Sequence, residues 1–394
     1  MARDHGDGSI DARGTDRWRL RYRIGGKRYT KTVRGNITDA KKELRRLLTS
    51  GDKGEHVAPG KVTLAQWVET WIALRRRKVN ARTSERYAEL MRLHVTPTLG
   101  ARAVQAITPV MIDSLYETIF AKGLSARTVH HIHTVLGACL RTAELKNLIT
   151  RNPVARAEAP DTGDDEDAGT ALEHDQLTVL VNGFANSPLF PIVATAAYTG
   201  ARRGEILALR WADFDPDAKT LRIARAIEET KEHGLRFKEP KSERGRRTIT
   251  IDDGLVALLR SERERLQRIV AGIPDGASVN FSLVKLPADA LIFPATPTGG
   301  EDFDLSRLRK PRNVTKEFCR KAGKLGFPDF RFHDLRVTHE TLLLDAGVPV
   351  HVVAARGGHD PAVLLRVYAK RTRKADTSAA AVIGGLSKGV LRVS

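Results

Sequence analysis

Apolar residues recur along this chain with two different periods, and the places where the period changes outline its architecture. Between positions 17 and 24 the alternation is strict, with Trp18, Leu20, Tyr22 and Ile24 on one side and Arg17, Arg19, Arg21 and Arg23 on the other. Period two predicts a half-buried strand with one wholly basic face. Gly25-Gly26 supplies a tight turn, and Lys27 to Val33 gives the returning strand. Thr38 is placed to cap a helix that runs to about Leu48 and stops at Gly51. A small β-sheet plus helix is therefore expected as a first domain over residues 1–60.

From residue 61 to 156 the period lengthens to that of helices, and four are expected. Thr63-Leu-Ala-Gln66 is a capping box, followed by Leu64, Trp67, Val68, Trp71 and Ile72 on one stripe. Tyr87, Leu90 and Met91 mark the second helix. Thr108-Pro109 opens the third, which carries Ile112, Leu115, Tyr116 and Ile119 and stops at Gly123. Ser125 caps the fourth, with Val129, Ile132, Leu136 and Leu140 inward. Residues 157–170 combine proline, glycine and the acidic Asp161, Asp164, Asp165, Glu166 and Asp167, which opposes folding and reads as a linker. From Leu172 the pattern is mainly helical, with strands expected near 220–227 and 246–251. This defines a mainly α (α+β) domain over residues 171–386 and a tail over 387–394. The fold class is thus multidomain.

Charge narrows the function. Across 394 residues, 66 Lys+Arg against 47 Asp+Glu leave a net charge of +19, which calls for a polyanion, nucleic acid before membrane. Between positions 17 and 34 eight residues are basic and none is acidic, so that strand face is expected to contact phosphates. Arg75, Arg76, Arg77 and Lys78 end the first bundle helix; they suit a helix C-terminus and also a phosphate. His130, His131 and His133 lack Cys, Asp or Glu neighbours at ligand spacing and read as a polar helix face, so no metal is expected. Cys139 and Cys319 read as reduced core thiols. With no signal-type apolar segment and no long apolar run, a cytoplasmic protein working on DNA is expected.

The chemistry concentrates near the C-terminal end, in His333-Asp-Leu-Arg336, Gly358-His359 and Tyr368, with a second arginine upstream in Thr199-Gly-Ala-Arg202-Arg-Gly-Glu205. Two guanidiniums can hold a phosphate's non-bridging oxygens and neutralise the charge of a five-coordinate transition state. A phenol has an ordinary pKa near ~10 and must lose its proton as it attacks, while the departing sugar oxygen needs an acid. Candidates for that acid are the histidines and a lysine, Lys241 in Lys241-Ser-Glu-Arg-Gly-Arg-Arg-Thr or Lys238 three residues earlier. No Gly-x-x-x-x-Gly-Lys-Ser loop occurs.

Together these segments resemble the tyrosine recombinase (phage integrase) family. Thr199 to Trp211 is similar to its first arginine box, Pro240-Lys241-Ser242 with Arg246-Arg247-Thr248 to its β-hairpin lysine segment, and His333 to Tyr368 to its second box. The two upstream domains resemble its arm-type and core-binding domains. The resemblance implies that Tyr368 is the nucleophile, that Arg202 and Arg336 clamp the scissile phosphate, and that Lys241 protonates the leaving 5′ oxygen. It further implies His333 as acid/base toward the tyrosine, His359 as a hydrogen-bond donor to the phosphate, and Glu205 as an orienting group behind Arg202. No cofactor is implied. The expected partners are double-stranded DNA at core and arm sites, a homotetramer on that DNA, and DNA-bending and directionality factors. Strand exchange through a 3′-phosphotyrosine is the expected reaction; a type IB topoisomerase and an inactive DNA-binding regulator are the rivals. For Arg203 and Arg210, surface or backbone-phosphate contact is expected, and for Asp334 and Glu340, helix solvation and capping. One departure stands out: Gly357-Gly358-His359 replaces the family's usual Leu-Gly-His, and loosened packing is expected there.

Overall fold

The computed structural model describes residues 8–52, 60–163, 169–240, 243–274, 277–297 and 302–368. The chain divides into two compact units, Met1–Asp165 and Glu166–Ser394.

In the first unit, β1 (Ser9–Ala12), β2 (Arg17–Ile24) and β3 (Lys27–Arg34) form an antiparallel sheet in that order, followed by α1 (Ile37–Asp52). Leu20 and Tyr22 bury the apolar side of β2 against Ala40, Leu44 and Leu47 of α1. Three details differ from the sequence reading. The cap of α1 is Asn36, not Thr38: Asp39 N–H donates to Asn36 Oδ1 at 2.9 Å, and Asn36 N–H to Asp39 Oδ2 at 3.0 Å. Such a reciprocal pair needs side chains three residues apart, and Thr38 already lies inside the helix. Gly51 does not stop α1 but sits within it, where Ile24 packs against its bare backbone. Finally, β1 is too short to show an alternation, and it brings Asp11 within 3.0 Å of Arg21, so an ion pair sits on the strand's basic face.

The helical part of this unit comprises α2 (Leu64–Arg76), α3 (Ala81–Leu90), α4 (Thr96–Leu99), α5 (Pro109–Phe120) and α6 (Ala126–Leu145). A π turn, Met91–Val95, joins α3 to α4. Thr63, Asn80, Thr108 and Ser125 each accept a backbone N–H at a helix start, a cap that stabilises by about 1 kcal/mol. Trp71 stacks on Tyr87 at 5.6 Å and donates to Thr142 Oγ1 at 3.1 Å, so its bulk is buried with its polar edge satisfied. Burial pushes the Cys139 thiol up to about 12, which leaves it protonated and inert. Arg75 lies over the Trp71 ring at 5.3 Å, whereas Arg76, Arg77 and Lys78 are exposed. His133 Nδ1 meets the Tyr116 hydroxyl at 2.9 Å, a bond within the helical bundle.

The second unit contains α7 (His174–Gly183), α8 (Phe190–Thr199), α9 (Arg203–Ile206), α10 (Asp253–Val270), α11 (Pro311–Lys324), α12 (Asp334–Asp345), α13 (Val350–Gly357) and α14 (Pro361–Tyr368). Two small antiparallel sheets accompany them: β4 (Phe214–Asp215), β5 (Thr220–Ile223) and β8 (Arg247–Thr250) in the order β4-β5-β8, and the hairpin β6 (Ala226–Thr230) with β7 (Gly234–Lys238). The single strand expected over 220–227 is broken. Arg222 and Arg225 both pair with the buried Asp213, and the bend between them sends β5 and β6 into different sheets. Phe318 stacks on Phe184 at 5.3 Å and meets Phe332 edge-on at 5.2 Å. With Leu335 also fully buried, this cluster anchors the start of α12 on both sides of His333. Among the described residues no helix is long and apolar enough to cross a membrane.

Candidate active site

The site is built where buried helices end. α8 is apolar along most of its length, with Ile192 to Ala197 buried, and it terminates at Gly200 with φ of 63°. A Cβ at Gly200 would lie 2.6 Å from His339 Cδ2, so both the left-handed backbone and the crowding require glycine. Past this turn Arg202 leads into α9, and Glu205 folds back on it: Arg202 N–H donates to Glu205 Oε2 at 3.0 Å and Arg202 Nη1 to Oε1 at 2.9 Å. Arg202 Nη2 reaches the Gly358 carbonyl at 3.4 Å, 156 positions away along the chain.

Arg247, on β8, closes the other side of the same carboxylate, donating from Nη2 to Glu205 Oε2 at 2.8 Å and from Nε to the Arg356 carbonyl at 2.6 Å. Burial alone would raise the Glu205 pKa. The hydrogen bond and charge of Arg247, with the backbone and charge of Arg202, outweigh it and hold the carboxyl below its ordinary value.

Arg336 extends from the first turns of α12 and is 3% exposed. Its Nη1 donates to the Gly200 carbonyl and its Nη2 to the Gly357 carbonyl, each at 2.7 Å, and Nη2 lies 3.2 Å from Glu340 Oε1. Desolvation lowers this guanidinium to about 10, with Glu340 opposing the shift, so it remains cationic at neutral pH. His359 follows α13. Its Nε2 is 2.7 Å from Glu340 Oε1 and touches Arg336 Nη2. His333 opens α12 and is exposed, yet desolvation by its surroundings, then the Arg336 charge, holds its pKa below the usual histidine value. It therefore carries a free base nitrogen at neutral pH.

The structure thus brings Arg202, Glu205, Arg336 and His359 together, with His333 in electrostatic reach of Arg336, Arg202 and Glu340. Lys241 lies outside the described residues. Tyr368 ends α14, and its side chain is likewise outside them. The alternative lysine, Lys238, is held at 2.7 Å by Glu228, a carboxylate that also takes Arg236 at 2.8 Å.

Five contributors escaped the sequence reading. Glu340 is buried within the site and not solvated; its position four residues after Arg336 on one helix face was the available signal. Asp334 is also buried, accepting the Arg331 backbone N–H at 2.7 Å. Arg247 sits inside the quoted lysine segment but only the fold aims it at Glu205. Arg356 donates to the carbonyls of Thr250 at 2.9 Å and Tyr198 at 3.0 Å, and to His339 Nε2 at 3.0 Å. His339, donating from Nδ1 to Ala197 O at 2.8 Å, is driven down to about 4 by burial and then by the Arg356 charge. Arg203 and Arg210 also depart from a plain surface role. Arg203 is half-buried and bonds Thr315, and Arg210 lies over the Phe237 ring at 4.7 Å beside a cationic cavity of about 680 Å³.

Residues 172–374 match the description "Phage integrase family", and residues 64–159 match "Phage integrase central domain". The chain belongs to the phage integrase family. Among relatives in this family, an integrase of Streptomyces ambofaciens is 26% identical over 405 aligned positions, covering 98% of each chain. The integrase of Mycobacterium phage L5 is 26% identical, covering 86% of this chain and 83% of its own. Solved integrase structures share the fold. One is the Tn1549 transposon integrase in complex with transposon right end DNA, with TM-score 0.65, 20% identity, and 82% of this chain and 99% of that one covered. Another is a lambda integrase tetramer bound to a Holliday junction, with TM-score 0.53, 18% identity, and 91% and 94% covered.

Proposed function

We infer that this chain is a site-specific DNA recombinase that cuts and rejoins double-stranded DNA through a 3′-phosphotyrosine intermediate. The observation that carries this reading is the convergence of Arg202, Arg336 and His359 about the turn at Gly357 and Gly358. Glu205 and main-chain carbonyls fix the two guanidiniums before DNA arrives, so little reorganisation is needed as charge builds on the phosphate. In the proposed step the Tyr368 oxygen bonds to phosphorus as the bond to the 5′ sugar oxygen breaks. His333, held in its neutral form, accepts the phenolic proton, and Lys241 donates one to the leaving oxygen. The arginines supply the charge neutralisation, and the phosphotyrosine ester retains the bond energy for rejoining, so neither metal nor ATP is invoked.

In this scheme residues 1–60 bind arm sites, 61–156 bind core sites, 157–170 link them to a catalytic segment at 171–386, and residues 387–394 form a tail. The lambda integrase relative is a tetramer on a Holliday junction, and a homotetramer on DNA in the cytoplasm is proposed here, with DNA-bending and directionality factors as further partners. The test is a nicked suicide substrate carrying the element's own core site. The unsubstituted chain is expected to form a covalent adduct, and Tyr368→Phe to bind the same DNA without forming one. An adduct that survives Tyr368→Phe overturns the nucleophile assignment.

A further inference from the structure

Gly357 stands where the family usually carries leucine, and the space is not left loose. A Cβ at this position would lie 2.5 Å from Glu340 Oε1, 2.7 Å from His359 Cδ2 and 3.1 Å from Arg336 Nη2. The missing side chain is replaced by a carboxylate, which is buried and touches both His359 and Arg336. Packing is tightened, contrary to the sequence expectation.

The protons around His359 can be counted. Arg336 Nη2 carries two: one goes to the Gly357 carbonyl at 2.7 Å, and the other faces His359 Nε2 and Glu340 Oε1, the latter an ion-pair partner at 3.2 Å. His359 Nε2 thus stands against a donor, Arg336 Nη2, and a carboxylate oxygen, Glu340 Oε1, at once. A bare Nε2 would set its lone pair against a carboxylate lone pair at 2.7 Å, so this contact is attractive only with a proton on Nε2, donated to Glu340 Oε1. That leaves Nδ1 as the ring nitrogen available to a ligand, and among the described residues it has no hydrogen-bond partner. Beside His359 lies a cavity of about 440 Å³, lined also by Glu243, Arg244, Gly358 and Asp360. A ring with its only proton on Nε2 would turn a lone pair toward a phosphate oxygen; a ring protonated on both nitrogens would turn a donor toward it.

We propose that Glu340 is a positioning residue for strand cleavage: seated in the space left by Gly357, it binds Nε2–H of His359 and balances the charge of the two-donor ring, so that Nδ1–H meets the scissile phosphate. Its negative charge is what matters, beyond its bulk. This proposal rests on the recombinase reading of the site.

Three measurements on the full chain test it. Glu340→Gln keeps the volume and removes the charge; it is expected to bind core DNA as tightly as the unsubstituted chain while adduct formation on the suicide substrate slows by at least about tenfold. An unchanged cleavage rate overturns the role of the charge. Gly357→Ala keeps both charged groups but intrudes on the carboxylate, and a comparable slowing is expected; full activity in this variant overturns the claim that the bare backbone makes room for Glu340. Because Gly357→Ala keeps the charges of both Arg336 and Glu340, it serves should Glu340→Gln fail to fold. In 15N-histidine-labelled protein without DNA, the Nε2 signal assigned by its loss in His359→Asn is expected to be that of a protonated nitrogen, and an unprotonated Nε2 overturns the proposal. That spectrum stands apart from catalysis. Failure of the unsubstituted chain to form any adduct would strike the recombinase reading, while the spectrum would still decide on the carboxylate–histidine bond.

Discussion

Arginine does opposite work in β2 and in the site around α12. On the strand, Arg17, Arg21 and Arg23 are exposed, and among the described residues Arg21 pairs with a carboxylate, Asp11. Around α12, Arg336 and Arg247 are buried, with side-chain exposures of 3% and 7%, and each is matched to a carboxylate and to main-chain carbonyls. Exposed guanidiniums keep their hydration, exchange partners freely and contribute little to stability. A buried one must have its desolvation offset by fixed partners, and those partners hold its geometry. The strand can thus supply affinity for a phosphate backbone without a fixed pose, whereas the inner site can supply a pose.

The strongest way to break this contrast is Arg336→Ala. Losing one preorganised donor to a developing charge is expected to slow adduct formation by about 100-fold or more. Leaving Glu340 buried without its cation is expected to destabilise the second unit by about 3–5 kcal/mol. Both are read from suicide-substrate kinetics and urea unfolding; an Arg336→Ala protein of full stability would mean that the carboxylate does not depend on it.

A smaller effect comes from acid. His339 is held neutral, with its pKa near about 4 against 6.5 ordinarily. Below pH 6.5 the unfolded chain takes up a proton there that the folded chain refuses until about pH 4, so stability is present above that window and lost as pH falls through it. The loss by pH 4 is on the order of 3 kcal/mol. Urea midpoints at pH 7 and pH 4.5 for the native chain and His339→Gln check this: the substituted chain is expected to lose less on acidification, and equal losses would sink the assignment.

The smallest effects belong to the strand. Replacing Arg17, Arg19 or Arg23 by alanine is expected to lower the salt dependence of arm-site binding by roughly one unit of slope each while sparing cleavage of core-only DNA. Arg21→Ala, whose charge is shared with Asp11, is expected to change it less. Filter binding across a salt series measures these slopes. If cleavage of core-only DNA fell in step with binding, the separation of roles would be lost.

What could be read from the chain beforehand follows the same division. The alternation in β2 and the stripes of α2, α5 and α6 announce themselves because burial repeats with the backbone period. The segments that hold Arg202, His333, Arg336 and His359 could be picked out because their local words are distinctive, and the fold sets these residues near one another. Glu340 and Arg247 were not, since their meaning comes from partners such as His359 and Glu205 that only the tertiary fold brings near. Helix capping misled for a related reason: Asn36 and Thr38 are both good caps, and the choice depends on which side chain reaches the free N–H of Asp39. The break between β5 and β6 was hidden because it is made by Asp213, which lies 9 residues before Arg222 and 12 before Arg225, the two arginines that flank the break.

Many of the guanidinium contacts in the second unit end on carbonyl oxygens of the main chain: Gly200 and Gly357 for Arg336, Gly358 for Arg202, Arg356 for Arg247, and Tyr198 and Thr250 for Arg356. A carbonyl oxygen belongs to every amino acid alike, so replacing the side chain of Tyr198 or Thr250 leaves the acceptor in place. Mutational drift, or deliberate retargeting toward new recombination sites, can therefore rewrite many neighbouring side chains without dismantling the electrostatic cradle.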